Sequence, residues 1–119
     1  MRYPITPVSK PRQTQRDKWA QRPAVMAYRA FADECRLRQV HICNCGDTIT
    51  FIIPMPSSWS EKKKAAMDGL PHQVKPDIDN LLKAVMDAVC PHGDQAIFDI
   101  RARKFWGRVG YIEIKEADK

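Results

Sequence analysis

The stretch KPDIDNLLKAVMDAV, Lys75 to Val89, sets two carboxylates one residue apart, Asp77 and Asp79, with the Lys83 ammonium four positions after the second. A third acid, Asp94, follows in PHGDQAIFD. Acids gathered in a basic protein repel one another unless a cation joins them, and an oxygen-only donor set suits Mg2+, with Mn2+ as the alternative. With such an ion the cluster could hydrolyse a phosphodiester: the ion would bind a phosphate oxygen, activate a water and steady the leaving oxygen. Lys83 would neutralise charge building in the transition state or orient the attacking water. Each residue also has a purely structural use. Asp77 is a good helix N-cap, Asp79 suits the positive end of a helix, and Asp79 with Lys83 forms an i,i+4 ion pair.

The element that must position these groups is a helix. Ile78, Leu81, Leu82, Val85, Met86 and Val89 fall on one face, Pro76 delivers the chain to its entrance, and PHGD ends it. Asp77, as a cap outside helical geometry, and Asp79 can turn their oxygens together at that entrance. A short return after the helix can bring Asp94 back toward them.

Around this helix the chain reads strand, helix, strand, short helix, helix, strand, strand. RYPITP is a short edge strand, and Pro23 opens a helix to about Arg38 with Ala24, Tyr28, Phe31 and Cys35 on its apolar stripe. CGDTITFIIPMP is a strand after a turn. Ser58 and Glu61 have capping-box spacing for a short helix that Gly69 stops. AIFDIRARKFWG alternates as a strand, and GRVGYIEIKE is expected to complete a hairpin through Gly107–Gly110. The expectation is one α+β (mixed α/β) domain over residues 1–119, a sheet of about four strands packed by helices.

Charge narrows the class of partner. Residues 1–38 hold nine Lys and Arg against three acids, and the rest of the chain is balanced at eleven of each. The whole +6 therefore sits in the first third, which suits a polyanion such as nucleic acid. The start lacks the apolar region of a secretion signal, and no apolar run reaches the roughly 20 residues of a membrane span. A soluble, cytoplasmic protein with reduced thiols is expected. His41, Cys43 and Cys45 in HICNC resemble half a metal site, which leaves a zinc or redox module as a rival reading. The C-x-C spacing is tighter than structural zinc prefers, and no second ligand pair follows.

KPDIDNLLKAVMDAV followed by GDQAIFDIRARKFWG resembles the RusA family of Holliday-junction resolvases. The shared pattern is Asp-x-Asp-Asn-Leu-x-Lys, then an acid before a strand whose aspartate precedes basic residues. SWSEKKKAAMDG is similar to a segment that many relatives carry upstream. The resemblance covers roughly residues 48–115 and is specific because the motifs are linked. It implies a homodimeric, Mg2+-dependent endonuclease that cuts four-way DNA junctions symmetrically during recombination or repair. Asp77, Asp79 and Asp94 match its catalytic, metal-binding acids, and Lys83 its catalytic lysine. One position departs: Gly93 stands where many relatives have a further aspartate. A catalytically silent DNA-binding protein of the same fold is the rival that this departure motivates.

Asn80 is a candidate for orienting a carboxylate or a water. Lys62, Lys63, Lys64, Lys75, Arg101, Arg103 and Lys104 flank the acids in sequence and are candidate phosphate contacts, which position DNA without reading it. Arg12, Arg16 and Lys18 could clamp DNA arms. Asp87 is expected as a surface ion-pair partner, Asp99 as a same-face partner of Arg101 and Arg103, and Met86 as core. His72 and His92 have no evident task.

Overall fold

The computed structural model describes residues 1–11, 23–42, 46–90, 95 and 97–116. Its elements are β1 (Arg2–Tyr3), α1 (Pro23–Leu37), β2 (Asp47–Pro54), α2 (Glu61–Met67), α3 (Ile78–Val89), β3 (Ile100–Gly107) and β4 (Tyr111–Lys115), in the order expected from the sequence. The strands form one mixed sheet in the spatial order β1-β4-β2-β3, so the class is α+β, as expected.

The expected hairpin is not formed, because β2 lies between its two arms. β2 runs parallel to β3, from Asp47 opposite Ile100 to Pro54 opposite Gly107. On its other side it runs antiparallel to β4, from Thr48 opposite Lys115 to Ile52 opposite Tyr111. The link between β3 and β4 therefore steps over the end of β2. A Cβ on Gly107 would stand 2.3 Å from Ile52 Cγ2, and one on Gly110 would stand 2.9 Å from Thr6 and 3.1 Å from Pro54 Cδ. Those glycines serve close passage over a neighbouring strand. Alternation identifies a strand and its faces but does not name the strand's neighbour.

One face of the sheet carries the core. Ile49, Phe51 and Ile53 of β2 and Ile112 and Ile114 of β4 pack with Tyr28, Phe31 and Cys35 of α1 and with Leu81, Ala84, Val85 and Ala88 of α3. The buried line of α3 has i, i+3, i+4, i+7 spacing, so the amphipathic reading holds, with Leu82, Met86 and Val89 half-buried at its margin. On α1 the buried residue of the first turn is Val25, not the expected Ala24. By the period of two, Arg101, Arg103, Thr48, Thr50, Tyr111 and Glu113 occupy the opposite face of the sheet.

α2 begins one residue pair later than the capping-box reading placed it. Trp59 donates its N–H to the Pro56 carbonyl at 3.1 Å, which puts Ser58 inside a turn. Ser60, with extended backbone, is the N-cap, and its Oγ accepts from Lys63 N at 3.2 Å. After α2, Gly69 at φ 80° turns the chain onto the exposed edge of β3. Gly69 N donates to Trp106 O at 3.0 Å, Trp106 N to Leu70 O at 2.9 Å, and His72 N to Lys104 O at 3.2 Å. Residues 69–72 thus cover the edge strand, whose free N–H and C=O groups would otherwise be open to pairing.

Candidate functional site

The mouth of α3 is where the predicted acids meet the rest of the fold. Asp77 is the N-cap residue, with extended backbone (φ −71°, ψ 149°), and its carbonyl accepts from Leu81 N at 3.2 Å. Its carboxylate makes no capping hydrogen bond. Asp79 lies in the first turn, and both side chains are exposed. Among the described residues neither carboxylate has a hydrogen-bond or ion-pair partner: Asp79 keeps its favourable place at the positive end of the helix, but the capping bond is not made. The Asp79–Lys83 pair is absent. Lys83 instead leans one turn onward, its Nζ 3.8 Å from Asp87, with 61% of its side chain exposed. An exposed pair of that length, with the lysine N-terminal to the acid, contributes little, so Lys83 can swing to a ligand at small cost.

Asp87 is an ion-pair partner, as expected, but chiefly of a residue 77 positions away: Lys10 Nζ donates to its carboxylate. Lys10 N also donates to Asn80 O at 3.3 Å, and its Nζ lies 5.4 Å from the centre of the Tyr28 ring. This docks the amino-terminal segment along α3, from Asn80 in its first turn to Asp87 in its last. Ser9, Lys75, Pro76, Asp77 and Asn80 then line a cavity of about 360 Å³ beside the acidic entrance. Sequence reasoning reached Lys75, Asp77 and Asn80. It missed Ser9 and Lys10, because nothing local in a polar amino-terminal loop announces a partner some 70 residues away.

The loop before Asp77 is held from β3. Lys104 Nζ donates to Val74 O at 2.7 Å and to Pro76 O at 2.8 Å, which takes two of the ammonium's three donors. The expectation that Lys104 touches phosphate therefore meets a residue already engaged with the protein. Arg101 and Arg103, next to it in sequence, point to the other face of the sheet, away from the α3 side. Arg103 donates to Thr50 Oγ1 at 3.3 Å and lies 5.4 Å from the centre of the Phe105 ring, in place of the expected pairing with Asp99. On α2, Lys62 is exposed, Lys63 Nζ lies 4.2 Å from the Trp59 ring, and Lys64 is 3.9 Å from Glu61. His72 is buried, 4.3 Å from Trp106 between ring centres, so its task is packing. Burial, and secondarily Lys104, lowers its pKa from the usual 6.5.

Asp94, Gly93 and His92, the arginines Arg12 and Arg16 with Lys18, and the cysteines Cys43 and Cys45 lie outside the described residues. Among the described residues no cluster of three His, Cys, Asp or Glu groups could hold a metal ion. The Asp77 and Asp79 carboxylates, exposed and uncommitted, offer hard oxygen donors of the type Mg2+ takes, and the third acid that the sequence offers is Asp94. The donor set fits a hard divalent cation in chemistry. Nor is any helix among the described residues long and apolar enough to cross a membrane.

The family model for endodeoxyribonuclease RusA matches residues 4–115, nearly the whole chain. The chain belongs to the RusA endodeoxyribonuclease family. Neither a curated protein nor a solved structure matches it. RusA membership supports a nuclease and extends the resemblance seen over residues 48–115 back to Pro4, just past β1. That agrees with the docking of Ser9 and Lys10 on α3, which ties the amino-terminal segment to the same site.

Proposed function

We propose that the chain is a Mg2+-dependent crossover-junction endodeoxyribonuclease, with Mn2+ as the alternative ion, that resolves four-way DNA junctions by paired phosphodiester hydrolysis in recombination or repair. The observation that carries this reading is the pair of uncommitted carboxylates, Asp77 and Asp79, at the mouth of α3 in a member of an endodeoxyribonuclease family. Asp77, Asp79 and Asp94 would hold the cation, which when bound supplies charge neutralisation at phosphate and an activated water. Asn80, on the wall of the adjoining cavity, orients a carboxylate or that water. Lys83, released from its loose contact with Asp87, brings a positive charge to the developing transition state. Lys62, Lys63, Lys75, Arg12 and Arg16 supply phosphate contacts, and Arg101 and Arg103 extend them on the far face of the sheet. A four-way junction has two equivalent strands to cut, so a two-fold homodimer with one site per protomer suits it.

The test is incubation of the purified protein with a synthetic four-way junction and with linear duplex of the same sequence, each with and without Mg2+. Paired nicks on opposite strands, only on the junction and only with metal, are expected. Asp79→Asn is expected to lower the cleavage rate by about a hundredfold or more, several kcal/mol of barrier, while junction binding persists. Tight junction binding without cuts in either metal would replace this reading with the silent binding protein. Loss of binding and cleavage together in the Asp79 variant would reduce that residue to a role in folding.

A further inference from the structure

We infer that Lys104 is a positioning residue for the acidic entrance of α3, acting through the backbone of residues 74–76; the inference rests on the proposed nuclease reading of that entrance. The segment before Asp77 is irregular, and Pro76 has no N–H to contribute to it. Its carbonyls at Val74 and Pro76 both accept from one ammonium, at 2.7 and 2.8 Å. Hydrogen bonds from a charged donor are short and strong, and here they converge from the middle of a strand. The same residue holds the loop a second time, since Lys104 O accepts from His72 N at 3.2 Å. Asp77 follows Pro76 directly and has no side-chain contact of its own among the described residues. The place of its carboxylate is therefore set by the backbone that Lys104 grips. Small misplacements matter at such a site: about 1 Å can cost about a hundredfold in rate.

Three readouts on the full chain test this. In Lys104→Met, the cleavage rate at saturating junction is expected to fall about tenfold or more. Junction affinity measured in chelator should stay within about twofold, with an unchanged salt slope. Amide hydrogen exchange should quicken at residues 81–84, the first amides of α3 that have a helical acceptor, but not in β2 or α1. Lys104→Arg keeps enough donors for both carbonyls and is expected to recover most of the rate. The inference is overturned if Lys104→Met cleaves at the wild-type rate, or if exchange quickens equally throughout the fold. It is equally overturned if affinity drops and the salt slope falls by about one, which would make Lys104 a phosphate contact. Should the wild-type chain not cut junctions at all, the nuclease reading fails by itself, and the exchange pattern at residues 81–84 still decides the role of Lys104.

Discussion

Single residues divide here into groups committed to the protein and groups left for a ligand. Asp77, Asp79 and Lys62 are exposed with no partner among the described residues, whereas Lys10 and Lys104 are engaged with neighbours. Phosphate-contact variants should follow that division. Lys62→Ala is expected to weaken junction binding by flattening the salt dependence by about one unit of log–log slope, measured by binding titration across a salt series. Cys35 belongs to the committed group: it is fully buried, and burial pushes its thiol pKa up to about 11. Because the thiolate is the reactive form, Cys35 should resist alkylation in the native protein and become labelled only on unfolding, as read by peptide mass spectrometry. Labelling of Cys35 in the native state at the rate of an exposed thiol would contradict its place in the core.

At the scale of elements, α3 works at two ends. Its middle is core, and Leu81 is fully buried between the sheet and α1. Leu81→Ala is expected to cost about 2–5 kcal/mol, from lost transfer energy plus the cavity left behind, measured by denaturant unfolding. The crossing between β3 and β4 is a second sensitive point. Gly107→Ala would put a methyl 2.3 Å from the Ile52 side chain, which must move. A loss of about 1–3 kcal/mol is expected in the same experiment, whereas a simple two-residue turn at that place would tolerate the methyl.

For the molecule as a whole, the packing of His72 couples stability to pH. Burial first, and the nearby Lys104 charge second, lowers its folded-state pKa below the ordinary 6.5. The unfolded chain thus takes up a proton more readily than the folded one. His72 contributes stability that is present above the unfolded pKa and lost as pH falls through the window from 6.5 down to the lowered folded value. Thermal unfolding from about pH 7.5 to about pH 5.5 should show a steeper fall in Tm for the wild type than for His72→Gln. Parallel curves would place the acid sensitivity elsewhere.

The element order, the apolar faces of α1 and α3, the strand identities and the pair of acids at a helix entrance were all legible in the sequence. Each depends on short-range periodicity or on residue types within one helical turn. Tertiary structure alone decided that β2 would separate β3 from β4, since a strand's alternation is the same whichever strand lies beside it. It also decided the partners of the charged groups. Asp79 and Lys83 have the spacing of a pair, yet Lys83 turns to Asp87, and Asp87 is held by Lys10 from the other end of the chain. Lys104 reads in sequence as one more basic residue among Arg101 and Arg103. The side of β3 it faces, and the carbonyls that the folded loop brings within 2.7 and 2.8 Å, give it a different task. Long, flexible charged side chains take whichever partner the fold brings near, and that proximity is a property of the packed chain rather than of local sequence.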